Sequence, residues 1–236
     1  MTDFNSFNNR SLIDATAHEI LGKILSGELK SGEWLPPERE MAEQMEISRS
    51  TLHQAILQLE SQGFLRIVSR KGTQIQDYRK MPTSQSILAV MTYGNLDEAD
   101  ELLYRDLMDT RLWLETECAR RACTHIYQST MDEMEAIVGQ MTIPDVDRTA
   151  LVYRFHLLLT RASGNSIYSM FFTGFEPVLK EFISMHYNSE NVDIEAMAGL
   201  HGELLEHIRN KDPEKAAKCV EDIITRGIAV LDDMRK

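Results

Sequence analysis

Residues 48–53 read Ser-Arg-Ser-Thr-Leu-His and bring hydroxyl groups, a guanidinium and an imidazole together at the start of a predicted helix. Arg49 carries paired N–H donors, which match the acceptor edge of guanine in the major groove of DNA. The hydroxyls of Ser48, Ser50 and Thr51 suit phosphate oxygens or base edges. Any one of these residues alone is also typical of a helix cap with solvated neighbours. Together they indicate a helix tip suited to hydrogen bonding with phosphates and base edges.

Basic residues recur on both sides of this tip. Arg39 falls in the first turn of the preceding predicted helix, where it is placed to reach the same region. Downstream, the run Ser69-Arg70-Lys71-Gly72 separates two β-prone stretches, FLRIV and TQIQD, which predicts a hairpin with a basic tip. Arg70 and Lys71 at that tip are suited to follow a phosphate backbone or to enter a minor groove.

Three amphipathic helices position these residues. Apolar side chains at helical spacing predict helices over 11–26, about 38–47 and 48–62, and the last has its apolar face at i, i+3, i+4 and i+7. Two helices joined by a tight turn and followed by a hairpin form the order of a winged helix-turn-helix, whose second helix enters the major groove. We therefore predict a DNA-binding domain over residues 1–78.

The remainder of the chain has a different organisation. Residues 79–95 contain a polar stretch around Pro82 and are predicted to be a linker with the first helix of the next domain. Residues 96–236 are predicted to be an all-α helical bundle that binds an effector and forms a dimer. The helices predicted after the linker lie at 86–93, 97–125, 129–140, 147–164, 166–187, 193–210 and 213–235. The fold class is thus mainly α with a small β-hairpin wing.

Charge is divided unevenly between the two parts. Residues 1–80 hold 10 basic and 11 acidic side chains, whereas residues 81–236 hold 15 and 26, within a net charge of −12. The acidity therefore lies in the second part, and the first remains compatible with DNA. The chain has no apolar run long enough to span a membrane and no signal-peptide pattern. Its three cysteines form no even framework, so we expect a cytoplasmic protein with reduced thiols.

The stretch LKSGEWLPPEREMAEQMEISRSTLHQAILQLESQGFLRIVSRKGTQI resembles the GntR-type winged-helix transcription regulators over nearly its whole length. The resemblance rests on the pattern LP-x-ERE-x-A, on SR-x-T-x-x-x-A-x-x-x-L, and on a Gly-hydrophobic-Leu step into a basic wing. It implies DNA contacts from Arg39, Ser48, Arg49, Thr51, Arg70 and Lys71. His53 stands where the family usually has Arg, so the resemblance implies a weakened or altered contact at that position.

The second domain has no catalytic motif that points to an enzyme: there is no nucleophile elbow, no phosphate-binding Walker loop and no HExxH pair. Six or seven amphipathic helices can instead enclose a ligand pocket. Arg111 lies in a helix beside an apolar face, which makes it either a carboxylate anchor or a snorkelling, salt-bridged surface residue. We predict that the protein is not an enzyme.

Three further stretches, LLYRDLMDTRLWLETECARRA, YRFHLLLTRASGNSIY and HGELLEHIRNKDPEKAAKCVEDI, resemble the FCD-type ligand-binding domain of the FadR subfamily over roughly residues 96–235. That resemblance implies a divalent metal such as zinc or nickel, held by one Asp and three His and completed by a small carboxylate. His156 and His201 match two of the His positions. Val152 stands at the Asp position and Ile223 at the last His position.

His156 and His201 provide too few ligands for a metal site, since zinc and nickel sites normally have three or four protein ligands. Cys219 lies one helical turn before Ile223, so a reduced site with His156, His201 and Cys219 stays open. The substitutions also make the pocket more apolar, which favours an effector bound without metal and with a larger hydrocarbon part. The ASGN-x-IY stretch resembles the fatty-acyl-responsive member of the subfamily, so a fatty acyl-CoA or lipid acid is the alternative to a small carboxylate.

These observations predict a homodimeric transcription regulator, a repressor rather than an activator, that binds a palindromic DNA operator. A dimer is expected because a single short helix makes few base contacts, and two-fold symmetry matches a palindrome. A small-molecule effector in the helical domain would control operator affinity. The minor alternative is an effector-independent architectural DNA binder, but such proteins tend to be basic throughout.

Overall fold

The computed structural model describes residues 5–93, 98–189 and 192–234. The chain divides into two compact units, Met1–Asp100 and Glu101–Lys236. None of the helices in the described ranges combines the length and the apolar character that crossing a membrane requires.

The N-terminal unit is a winged helix-turn-helix. Its elements are α1 (Asn5–Leu25), α2 (Glu38–Gln44), α3 (Arg49–Ser61), β1 (Leu65–Val68), β2 (Gly72–Ile75) and α4 (Ser84–Thr92). The two strands pair antiparallel, from Leu65 opposite Ile75 to Val68 opposite Gly72. Trp34 adds one bridge to Gln74 on the outer side of β2. The predicted wing is therefore confirmed.

Helix α3 forms because several local signals agree along its length. Its predicted apolar face is fully buried, with Leu52, Ala55 and Ile56 at 0% exposure and Leu59 at 1%. Ser48 caps its start, and Gly63 follows its end with a positive φ of 86°, a conformation that glycine adopts without strain. Burial of each large apolar side chain of this kind stabilises the folded unit by roughly 1.5–3 kcal/mol.

Helix α4 lies in the N-terminal unit and does not begin the second domain, which corrects the predicted role of residues 79–95. Ala89 and Val90 are buried in the same apolar core as the helices α1 and α3. Tyr78, at the end of the predicted DNA-binding domain, is also buried there, and its ring lies 5.1 Å from that of Phe64. The apolar face of α4 thus covers the winged helix-turn-helix core.

All the regular secondary structure in the described part of the C-terminal unit is helical, as predicted. Its elements are α5 (Glu98–His125), α6 (Gln128–Met141), α7 (Arg148–Ala162), α8 (Ser166–Gly174), α9 (Glu176–Tyr187), α10 (Ile194–Arg209) and α11 (Pro213–Met234). Helix α7 is the central element, because it packs against α6, α8 and α9 and buries nine of its residues. The mainly α fold class with a hairpin wing is confirmed.

The single helix predicted over 166–187 is in fact two helices. The chain turns at Phe175, which has φ −100° and ψ 11°, between α8 and α9. Pro177 lies in the first turn of α9, where its missing N–H costs nothing, but it cannot continue a helix from before. This break lets α9 pack separately against α7, which places His186 and Tyr187 in the core.

Candidate DNA-binding surface and effector cavity

The tip of α3 is fixed by hydrogen bonds among its own first residues. The Ser48 hydroxyl accepts a hydrogen bond from the Thr51 backbone N–H at 3.1 Å and lies 2.8 Å from the hydroxyls of Ser50 and Thr51. Thr51 is only 4% exposed, so its side chain serves mainly to hold this turn. Arg49 and Ser50 are exposed at the tip. The geometry therefore leaves Arg49 and Ser50 as exposed donors at the helix tip.

Two predicted contacts of this surface are paired with acidic residues of α2. The Arg39 Nε donates to the Glu43 carboxylate at 3.1 Å, and both side chains are well exposed. The His53 Nδ1 lies 3.1 Å from the Glu38 carboxylate. A surface pair such as Arg39–Glu43 contributes about 0–1 kcal/mol, so a phosphate competes with it readily. The His53–Glu38 pair instead places an acid beside the position where the family has Arg.

The wing tip presents its basic residues on a constrained turn. Lys71 and Arg70 are exposed, and the Lys71 backbone N–H donates to the Val68 carbonyl at 3.0 Å. Arg70 has a φ of +63°, which is uncommon for a residue with a side chain, and Gly72 has +114°. The turn thus keeps a charged residue where glycine or asparagine would be easier to accommodate.

A small cavity of about 30 Å³ lies within the C-terminal unit. It brings together the three predicted effector residues, Arg111 on α5, His156 on α7 and His201 on α10. Val152 and Ile223 line it as well, so the two apolar replacements face the same space. The other lining residues are Met108, Phe182, Ile183, His186, Tyr187, Met197, Ile224, Gly227 and Ile228.

A buried ionic array forms one wall of the cavity. The Arg111 Nε donates to one oxygen of Glu115 at 2.7 Å, and the other oxygen of Glu115 accepts a short hydrogen bond from the His156 Nδ1. Glu115 is fully buried. Burial alone raises the pKa of its carboxyl, but His156 and Arg111 outweigh that effect and lower the pKa to about 2. Arg111 is therefore salt-bridged inside the protein and not on its surface.

Three imidazole rings that line the cavity have nitrogens without hydrogen-bond partners among the described residues. Among the described residues, the Nε2 atoms of His156 and His201 and both ring nitrogens of His186 are buried without a hydrogen bond. The His201 Nδ1 lies 2.7 Å from the Met197 carbonyl, so it must donate. Burial, reinforced by the charge of His156, lowers the pKa of His201 to about 3, and burial with Arg111 lowers the pKa of His186. His201 is therefore neutral at pH 7, with a lone pair on Nε2.

The residues present do not assemble the metal site that the resemblance implies. Within the described ranges, no three His, Cys, Asp or Glu side chains are grouped so that they can hold a metal ion. Val152 and Ile223 supply hydrocarbon where the family has ligands, and Cys219 does not line the cavity in the described part of the chain. Glu115 is already engaged by Arg111 and His156. This donor set gives two facing imidazoles, fewer ligands than zinc or nickel normally has.

The sequence prediction missed three polar residues of this region: His186 and Tyr187 line the cavity, and Glu115 is buried against two of its lining residues, Arg111 and His156. Glu115 follows Arg111 by four residues, the spacing of a helical ion pair, which is the one signal that pointed to it. His186 and Tyr187 lie at the end of what was predicted to be one long helix. These two residues reach the cavity because the chain breaks at Phe175, and the apolar periodicity of the sequence does not reveal that break.

Comparisons with known proteins agree with the division of the chain into a winged helix-turn-helix unit and a helical unit. The family described as "Bacterial regulatory proteins, gntR family" matches residues 12–75, and the FCD domain family matches residues 106–226, more than half of the chain. The Glc operon transcriptional activator of Escherichia coli K12 is 25% identical over 67% of this chain and 63% of its own length. The fatty acid metabolism regulator protein of Erwinia tasmaniensis is 25% identical over 86% of this chain and 84% of its own.

A solved structure of Lar, which controls expression of the Listeria monocytogenes agr system, supports the fold. It covers 93% of this chain and 96% of its own at a TM-score of 0.58 and 20% identity. The winged helix-turn-helix, the helical unit and both family matches lead to one assignment. The chain belongs to the GntR-type bacterial regulatory proteins that carry an FCD domain.

Proposed function

We propose that this transcription regulator acts as a homodimeric repressor, whose affinity for a palindromic operator is set by a small carboxylate in the C-terminal cavity. The observation that carries the DNA-binding part is the capped tip of α3, where Arg49 is exposed and has no ion-pair partner among the described residues. An unpaired guanidinium held on a rigid helix start is suited to bidentate recognition of guanine. Arg39, Ser50, Arg70 and Lys71 add phosphate contacts.

Two copies are needed for a useful operator affinity. One helix tip with Arg49 and Ser50 reads only a few base pairs, and each correct base pair is worth about 1–3 kcal/mol. A two-fold dimer doubles these contacts and fixes the spacing of the half-sites. The homodimer is therefore the assembly that best fits so short a reading surface.

The chemistry of the cavity supports a carboxylate effector. Arg111 offers a guanidinium inside an apolar unit, which is the usual partner of a buried carboxylate. The volume of about 30 Å³ among the described residues suits a molecule of a few atoms. The fatty acid metabolism regulator among the relatives keeps acyl-CoA as the alternative effector.

We propose that the protein is located in the cytoplasm, where it has direct access to operator DNA. The three cysteines, Cys118, Cys123 and Cys219, are buried free thiols. Burial raises the pKa of the Cys118 thiol to about 12, so it stays protonated and unreactive at neutral pH. Unreactive thiols that form no disulfide are compatible with a reducing compartment.

The test of the DNA-binding part selects bound sequences from random duplex DNA with the purified full-length protein, then measures affinity for the selected site. Arg49→Ala should weaken that affinity by about 1–3 kcal/mol and relax the preference at one base position in each half-site. Arg226→Ala, an exposed arginine of the C-terminal unit, is the matched control. No enriched sequence, or equal effects of the two variants, would contradict the proposal.

A further inference from the structure

One acidic residue of α2 is paired with the helix that is proposed to read DNA. The Oε1 of Glu38 lies 3.1 Å from the Nδ1 of His53, although the two residues are 15 positions apart in sequence. The side chains of His53 and Glu38 are 46% and 29% exposed, so the pair lies at the surface. A carboxylate beside a surface that meets phosphates opposes binding by its charge. A role that offsets this repulsion is therefore expected for Glu38.

His53 lies on the outward side of α3, one turn after Arg49. Residues four positions apart are neighbours on one side of a helix, and Arg49 is exposed at the tip. The opposite side, with Leu52, Ala55 and Ile56, is fully buried in the core. A helix that enters the major groove meets the base edges with the outward residues near its start. His53 is therefore placed to reach the base pair beside the one that Arg49 reads.

The contact with Glu38 determines which atom of His53 is available to DNA. A carboxylate only accepts hydrogen bonds, so the Nδ1 of His53 must donate, and this holds for the neutral and the protonated ring alike. The Nε2 has no hydrogen-bond partner among the described residues. It accepts on the neutral ring and donates on the protonated ring, so it can bond a base edge in either state. The contact is a single hydrogen bond, whereas an arginine at this position offers two parallel donors.

We propose that Glu38 is a positioning residue for base recognition, which holds the His53 ring so that its Nε2 bonds the base pair beside that of Arg49. This inference rests on the proposed function, in which the tip of α3 enters the major groove. A ring that is already held loses no rotational freedom on meeting DNA, whereas ordering a free side chain weakens binding by about 2–12-fold. A wrong base makes no bond to Nε2, so the gain applies only to the right base.

Charge and positioning predict different effects of removing Glu38. If the carboxylate acted by its charge alone, its loss would tighten binding to every DNA sequence. If it holds His53, its loss lowers the preference at one base pair, because the affinity for the right base falls relative to the others. Glu40 gives the matched comparison, since it is an exposed acid of the same first turn of α2 and its side chain has no partner among the described residues.

The test measures base preference with the full-length protein. Bound sequences are selected from random duplex DNA, and fluorescence anisotropy then gives affinities for the selected site and for each single base-pair change in its half-sites. His53→Ala should lower the preference at one base pair by about fivefold or more. Glu38→Ala should lower it at the same base pair by about 2–12-fold, with no further fall in the His53→Ala protein. Glu40→Ala should leave this preference unchanged.

A conservative variant separates the hydrogen bond from the charge. Glu38→Gln removes the charge but keeps an oxygen that accepts from the Nδ1–H of His53, so the preference should stay within about twofold of the wild type. Glu38→Met keeps the length of the side chain without the acceptor, and it takes the place of Glu38→Ala if that variant does not fold. Circular dichroism verifies the fold of every variant.

Failure of this inference is distinguishable from failure of the proposed function. The inference is overturned if His53→Ala and Glu38→Ala do not relax the same base pair, if Glu40→Ala relaxes it as much, or if Glu38→Gln loses as much preference as Glu38→Ala. In each of these cases Arg49→Ala should still relax its own base pair, and the proposed contact of the α3 tip then stands. If selection enriches no sequence, both the inference and that contact are overturned.

Discussion

Glu115 is the residue on which the C-terminal cavity depends most. It is fully buried, and it is stable as a carboxylate only because Arg111 and His156 both bind it. Removing one partner of such a buried array typically costs about 3–5 kcal/mol, whereas well-packed apolar residues often replace the whole array without loss. Stability alone therefore does not explain why charged groups are kept here. Ligand binding explains it better.

The buried imidazoles should make the stability of the C-terminal unit depend on pH. The pKa of His201 is lowered from 6.5 to about 3 in the folded protein, and that of His186 is lowered as well. Between pH 3 and 6.5 the unfolded state binds more protons than the folded state. The free energy of unfolding that these histidines contribute is therefore fully present above about pH 6.5 and falls as the pH drops toward 3. Each such group contributes a slope of up to about 1.4 kcal/mol per pH unit.

Urea unfolding at pH 7, 6, 5 and 4 measures this slope. Trp113 reports on the C-terminal unit when Trp34, the only other tryptophan, is changed to Phe in every protein compared. His201→Phe should flatten the profile between pH 6.5 and 4, and His207→Phe should not. Glu115, with its pKa lowered from 4.5 to about 2, adds a further loss only below about pH 4.5. A flat wild-type profile from pH 7 to 4.5 would contradict the buried, neutral state of these histidines.

The elements differ in how well local sequence predicts them. Helix α3 was predicted at 48–62 and is found at Arg49–Ser61, because its apolar period, its Ser48 cap and Gly63 all point to the same bounds. The partner of α4 could not be predicted, since an apolar face shows that a helix is buried but not against what. The break at Phe175 was missed because the apolar pattern continues across it.

The candidate sites likewise differ in how far local sequence predicts them. The predicted DNA-binding residues lie within one contiguous stretch of the chain, so their motif and their spatial relation follow from local structure. The cavity instead joins residues far apart in sequence: Glu115 and His156 are 41 positions apart. Resemblance supplied His156 and His201, but a glutamate in a helix is usually read as a surface residue. Its burial depends on packing between α5 and α7, which the sequence pattern does not encode.

The start of α3 allows capping to be separated from DNA contact. Ser48→Ala removes the acceptor of the Thr51 N–H and should lower the stability of the N-terminal unit by about 1 kcal/mol. Ser50→Ala, two residues later at an exposed position, keeps that cap and should change stability by less than about 0.5 kcal/mol. Thermal unfolding of the two variants gives the comparison. Equal destabilisation would show that the cap is not the Ser48 hydroxyl.

For the whole molecule, the uneven charge bears on how operator binding should be measured. The C-terminal unit, residues 101–236, holds 23 acidic and 15 basic side chains, so it repels DNA unless salt screens its charge. The phosphate contacts proposed for Arg39, Arg70 and Lys71 should also be weakened by salt, through counterion release. Operator affinities with and without effector are therefore comparable only at one fixed ionic strength, because salt weakens both the repulsion by the acidic unit and the attraction at the phosphate contacts.

Coupling between the two units is a prediction about free energy and must be reciprocal. If the small carboxylate proposed for the cavity lowers affinity for the selected operator, saturating operator must lower affinity for that carboxylate by the same factor, for which about 5–150-fold is typical. Fluorescence anisotropy with labelled operator gives one factor, and calorimetric titration of the carboxylate into the protein–operator complex gives the other. A single half-site serves as control. An effector that changes the spacing of the two reading heads of a dimer should weaken binding to the palindrome and leave half-site affinity nearly unchanged. Equal weakening on half-site and palindrome would show that the effector acts within one reading head. A bound carboxylate with no change on either DNA would show that the cavity does not regulate operator binding.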